Sequence, residues 1–154
     1  MQQIRYYMLG EQALVMELSP PVTLASQQKI WGLARRLGSQ PQVRQVIPGM
    51  NNLTVILWDI PANAERALEQ LRHDWEGSSA DIPESRTIDV PVIYGGDGGP
   101  DLQEVARRSQ LTPSQVVELH SSGHYTVYFI GFQPGFPYMA RLDPKIHCPR
   151  QTHP

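Results

Sequence analysis

His120, the aromatic bend around Pro134-Gly135 and the glycine-rich loop at residues 95–99 are the parts of this sequence best suited to chemistry. His120 follows the strongest helix start in the chain. Thr112 reads as an N-cap, Pro113 takes the first helical position, Gln115 completes a capping box, and Leu111 is placed to staple onto Val116. That start fixes the helix register, so His120, one turn beyond Val116, shares its apolar side near the C-terminal end. An imidazole there is either a ring held by the negative helix end or a backbone carbonyl, or a proton-transfer group. His124 opens the next strand and reads as a surface residue, while His73, His147 and His153 show no ligand spacing, so no metal site is expected.

Residues 125–132 are apolar or aromatic at nearly every position, which predicts a strand covered on both faces. Pro134 presets φ and Gly135 accepts positive φ, the residue order of a type II turn, so the chain must reverse there. Phe132, Phe136 and Tyr138 converge on this bend, and Pro137 restricts Phe136 to extended conformations. Gly95, Gly96, Gly98 and Gly99 form a loop whose amides could cradle an anion, a weak phosphate-binding signal. No Gly-Lys-Ser/Thr ending follows, so it is not a P-loop, and a plain hinge is the simpler reading. Asp101 and Glu104 are placed to cap the short helix after it.

The elements that position these groups follow from pattern and punctuation. Residues 5–9 and 13–18 read as a hairpin, and Thr23 caps a helix to about Leu37 with Ile30, Leu33, Ala34 and Leu37 on one stripe. Residues 43–47 and 53–58 read as strands about a turn with positive φ at Gly49 or the asparagines. A second helix over 63–76 presents Ala64, Leu68, Leu71 and Trp75, with Gly77 as its C-cap. Residues 77–86 are a connection and 87–94 a further strand. The order predicts an α+β fold in which residues 1–80 form a ferredoxin-like sandwich, helices on one face of a mostly antiparallel sheet.

The 154 residues are 40% apolar, with 13 basic against 15 acidic side chains. With near-balanced charge and no basic cluster, neither nucleic acid nor a membrane surface is an expected partner. Apolar runs are short and Met1 is not followed by a basic region and apolar core, which predicts no transmembrane helix, no signal peptide and a cytoplasmic protein. Cys148 is the only cysteine, excluding an intramolecular disulfide.

The bend, read as Gly131-Phe132-Gln133-Pro134-Gly135-Phe136-Pro137-Tyr138 behind His120 and Tyr125, resembles the signature of the KipI and allophanate hydrolase subunit 1 family. Upstream, Ile47-Pro48-Gly49-Met50-Asn51-Asn52, Pro91-Val92-Ile93-Tyr94-Gly95-Gly96 and Gly99-Pro100-Asp101-Leu102 extend the resemblance over most of the chain, and Pro149-Arg150 matches a further pair. The resemblance implies that residues 81–154 are an incomplete cyclophilin-like β-barrel with two short helices, whose missing half leaves edges open to self-association.

It also implies a non-autonomous subunit of an ATP-dependent 5-oxoprolinase, a cyclic amide hydrolase that turns 5-oxoproline into glutamate. ATP would sit on, or be shared with, sister subunits of the PxpC and PxpA type. On that reading His120 is the catalytic candidate, Phe132, Pro134, Gly135, Phe136 and Tyr138 wall a substrate pocket, and Arg150 meets a carboxylate or phosphate. Two other activities share the signature: a KipI-like inhibitor that docks on a sensor histidine kinase, and a carboxyltransferase lobe like that of urea carboxylase.

Overall fold

The computed structural model describes residues 2–149, an α+β chain that divides into two compact units. One runs to Ser85 and also takes Tyr128–Tyr138; the other holds Arg86–Val127 and the residues from Met139 on.

In the first unit, β1 (Ile4–Leu9), β2 (Ala13–Leu18), β3 (Val43–Pro48) and β4 (Asn52–Leu57) form one antiparallel sheet in the order β1-β2-β4-β3. One face of this sheet carries the core. Tyr6 lies opposite Met16, Met16 opposite Leu53, and Val46 opposite Val55, so these side chains line up across the sheet. Helices α1 (Leu24–Gly38) and α2 (Ala64–Glu76) pack on that face, bringing Ile30, Leu33, Leu37, Leu71 and Trp75 into one core. Met16, Ile30, Leu33 and Leu53 are fully buried, which contributes about 1.5–3 kcal/mol each.

Local signals start both helices where expected. Thr23 accepts a hydrogen bond from the Ser26 amide, and Asn63 accepts one from Arg66. The turn before β4 places Asn51 at φ 58, the positive φ predicted there. On α2 the inner stripe uses Ala67 and Leu68 with Leu71 and Trp75, whereas Ala64 is exposed at the first turn. The connection after α2 is strapped to α1: the Asp81 amide donates to the Gln28 carbonyl at 3.0 Å, and Arg35 pairs with Asp81 at 3.0 Å.

The second unit contains α3 (Leu102–Ser109) and α4 (Pro113–Ser121), closed over Ala106, Val116 and Ile146, with Leu111 packed against them as the staple requires. Strands β5 (Thr126–Ile130) and β6 (Pro137–Ala140) pair only with each other among the described residues.

Three expectations are corrected. Residues 87–94 form no strand; Ile88, Val90 and Ile93 are exposed along a segment without regular secondary structure. A β pattern yields a strand only where a neighbour supplies hydrogen bonds, and no described segment does so here. Residues 125–132 are not covered on both faces: Tyr128 is buried, but Val127 and Ile130 are exposed, because β5 has a single strand neighbour among the described residues. Glu104 does not complete a capping box with Asp101; its carboxylate is taken by Arg107 and Arg108 on the next turn.

The strap on α1 gives a direct test. A Cβ on Gly32 would run into the Ser79 carbonyl, whereas a Cβ on Gly38 meets open space. Gly32→Ala should cost about 1–3 kcal/mol and speed proteolysis at residues 78–85, while Gly38→Ala stays neutral or stabilises by up to about 1 kcal/mol. Urea midpoints and limited proteolysis check this, and equal behaviour of the two variants refutes the strap.

Candidate functional site

His120 is built from the cap outward. In α4 the Thr112 hydroxyl accepts from the Gln115 amide at 3.2 Å and the Gln115 side chain accepts from the Thr112 amide at 2.8 Å, with Pro113 at the first position. Val116 is buried, and His120, one turn on, is half-buried in the same unit. Two tyrosines with no periodic relation to it close around the ring. The Tyr94 hydroxyl lies 2.7 Å from Nδ1, and the Tyr125 hydroxyl donates to the His120 carbonyl at 2.8 Å. The Tyr94 ring stands nearly perpendicular to the imidazole at 5.7 Å, and the Tyr125 ring is tilted at 5.4 Å. Burial pushes the Tyr125 phenol above its ordinary value, with Tyr94 and Asp143 adding to it, so this donor stays protonated at neutral pH.

The Tyr125 bond also serves a terminal helix carbonyl, one of the groups a helix end leaves without an intrahelical partner. Nε2 of His120 makes no hydrogen bond among the described residues, so it is the ring atom open to a ligand.

The aromatic bend lies in the first unit. Phe136 donates its amide to the Gln133 carbonyl at 3.0 Å across Pro134 and Gly135, and Gly135 has φ 81, so the predicted reversal is present. The Gly131 amide donates to the Phe136 carbonyl at 3.1 Å below it. The three expected rings are joined by a fourth. Phe129 stacks on Tyr138 at 4.4 Å and 7°, Tyr138 meets Phe136 edge-on at 5.3 Å, and Phe136 meets Phe132 at 5.5 Å. Each such pair adds about 0.5–1.5 kcal/mol beyond its buried area. Phe132 ends the series at φ 62 and 84% exposed, a left-handed residue with its ring in water. The cost of that conformation, about 1–3 kcal/mol, falls on a residue whose ring meets that of Phe136 and is otherwise solvated.

Of the remaining candidates, Gly95 and Gly96 adopt φ 75 and 55, and Gly96–Gly98 form a single 3-10 turn. The Gly99 amide is already committed to the Gly95 carbonyl at 3.1 Å and the Gly96 carbonyl at 3.3 Å, which leaves fewer donors for an anion than the glycine count suggests. Arg150 lies outside the described residues. Among those described, no three His, Cys, Asp or Glu side chains gather to hold a metal ion, and no helix is long and apolar enough to cross a membrane.

The family model for the carboxyltransferase domain, subdomain C and D, matches residues 4–154. The chain belongs to this family. Within it, the chain is 56% identical over 154 residues to a protein of Escherichia coli O157:H7 named as a 5-oxoprolinase subunit, covering all of this chain and 71% of that one. Proteins of the same name from Haemophilus influenzae and Bacillus subtilis are 40% and 31% identical, covering 95% and 98% of this chain and 68% and 69% of theirs. These relatives are consistent with the KipI and allophanate hydrolase subunit 1 resemblance. A crystal structure of TTHA0988 superposes with TM-score 0.68 at 27% identity over 92% of this chain, which spans only 27% of that longer chain.

The second unit carries a pH signature. Hydrogen bonds from Arg107 and then Arg108 pull the Glu104 carboxyl down from 4.5 to about 2. A carboxylate depressed on folding stabilises above its unfolded value, and the contribution disappears as pH falls through the window from 4.5 to about 2. The stability gap between the unaltered protein and Glu104→Gln should therefore be present at neutral pH and close across that window. Denaturant midpoints measured against pH check it, and a gap that does not change with pH refutes it.

Proposed function

We propose that this chain acts as a subunit of an ATP-dependent 5-oxoprolinase, opening the 5-oxoproline lactam to glutamate together with sister subunits of the PxpC and PxpA type in the cytoplasm. The observation that carries this reading is the 56% identity to the E. coli 5-oxoprolinase subunit along the whole chain. The same reading takes the first unit as a ferredoxin-like sandwich and the second as part of a cyclophilin-like barrel. Two helices on one face of a four-stranded antiparallel sheet support the former description.

The chemistry sets what the residues must do. An unstrained lactam is a poor electrophile. Transfer of the γ-phosphoryl group of ATP to the lactam oxygen releases ADP, water then adds to the activated carbon, and loss of phosphate with cleavage of the ring C–N bond gives glutamate. Such a route needs a group that stabilises charge on the carbonyl oxygen or moves a proton beside it, and donors around the phosphate. His120, with Nδ1 engaged and Nε2 open, suits the first need. By residue type alone, Phe132, Pro134, Gly135, Phe136 and Tyr138 are the candidates for an apolar wall, and Arg150 for a carboxylate or a phosphate. The glycine loop meets the second need only in part, since the Gly99 amide is used internally, so the bulk of the nucleotide site is assigned to a partner subunit.

A second reading draws on Phe132: an aromatic ring 84% exposed at a hairpin tip suits insertion into a protein partner such as a sensor histidine kinase. Reconstitution separates the two. With sister subunits, 5-oxoproline and ATP, phosphate release should depend on this protein, and His120→Ala should lower turnover by about a hundredfold or more while circular dichroism stays unchanged. Phosphate release that does not respond to this protein refutes the enzymatic reading, and full activity of His120→Ala removes the histidine from it.

A further inference from the structure

We propose that Tyr94 is a positioning residue for His120, holding the imidazole as its Nε2–H tautomer so that the ring meets substrate as a hydrogen-bond donor to a carbonyl oxygen gaining negative charge. The substrate part of this statement rests on the lactam reading above; the tautomer does not.

One proton lies between the Tyr94 oxygen and Nδ1, 2.7 Å apart, and the neutral imidazole can accept it or supply it. Two arguments place it on the phenol. The phenolic oxygen shares its lone pairs with its ring, so phenol is the better donor and the bare imidazole nitrogen the better acceptor. If instead Nδ1 carried the hydrogen, the phenolic hydrogen would have to turn to solvent, since Tyr94 makes no further hydrogen bond among the described residues. The competing phenol is out of play, because Tyr125 spends its hydrogen on the His120 carbonyl at 2.8 Å. With Nδ1 accepting, Nε2 bears the remaining hydrogen.

The backbone behind Tyr94 is built to hold that contact. Gly95 turns the chain at φ 75, and Gly99 returns its amide to the Gly95 carbonyl at 3.1 Å. A Cβ on Gly99 would lie 2.7 Å from the Gly95 nitrogen, and one on Gly98 would lie 2.8 Å from Cγ2 of Ile93. Glycine is thus required on the residues that fold back against 93–95, and the loop read from the sequence as a hinge or anion cradle acquires a third role: it pins the donor of the tyrosine-histidine pair. The neutral ring then cannot take a proton at Nε2, so His120 polarises and stabilises rather than acting first as a base.

Nitrogen-15 NMR of the labelled, unaltered protein, with the imidazole neutral, decides the tautomer without any substitution. The expected spectrum shows His120 Nδ1 as the unprotonated, pyridine-like nitrogen and Nε2 as the protonated one. The reverse assignment, or a pair of averaged signals, overturns the proposal. In the reconstituted assay Tyr94→Phe should lower kcat by about tenfold, the worth of one hydrogen bond, and leave KM unchanged. Its spectrum should drift toward the averaged signals of a free ring. Unchanged kcat, or a change confined to KM, refutes the positioning role. If phosphate release does not respond to this protein while the spectrum shows the Nε2–H form, the lactam reading has failed and the tautomer stands; phosphate release that depends on this protein with the reverse tautomer separates them the other way.

Discussion

The carbonyl oxygen of Tyr128 is the point on which the placement of the aromatic bend depends. It accepts the Trp31 indole N–H at 2.8 Å and the Gln27 amide at 3.4 Å, while the Tyr128 ring sits edge-on to Trp31 at 6.1 Å. Among the described residues strand β5 has only β6 as a strand neighbour, so its hold on the rest of the first unit comes from these side-chain donors and from the burial of one ring rather than from a sheet ladder. Gln27 is itself buried and also reaches the Gly49 carbonyl at 3.2 Å, which ties the β3–β4 turn to the same residue. This buried amide thus donates to two backbone carbonyls from one position on α1.

The second unit solves a different problem, that of presenting one imidazole with one nitrogen committed. Its apolar centre is small, Ala106, Val116 and Ile146, and cannot by itself fix a side chain at the helix end. Polar contacts do the fixing. A capping box sets where α4 begins, a tyrosine hydroxyl closes the carbonyl where it ends, and a second tyrosine takes the ring. Each of these is a neutral hydrogen bond of modest strength, and together they leave the ring few alternatives.

Much of this was legible in the sequence, and what was not has a common cause. Caps at Thr23 and Thr112, the Pro134-Gly135 reversal and the strand-like runs of β1, β2 and β4 are local, so residue type and spacing suffice. The stretch at 87–94 misled because its pattern is that of a strand, while strand formation depends on a neighbour the pattern does not contain. Glu104 misled because two arginines one turn later outcompete a backbone amide for its carboxylate. The pairing of Tyr94 with His120 joins positions 26 apart with no periodic relation, and the fourth ring, Phe129, is placed by stacking across the hairpin rather than by its distance in sequence from the others. The Pro91 to Gly96 run contained Tyr94 all along, yet nothing in it distinguished a working hydroxyl from a packing ring.

The capped start of α4 makes the histidine's direction a matter of helical phase. Each residue advances an α-helix by about 100°, so adding or removing one position between Gln115 and His120 would swing the imidazole a quarter-turn or more away from both phenols, with every residue type preserved. The distance from the cap to the ring, counted in residues, is therefore what aims the imidazole.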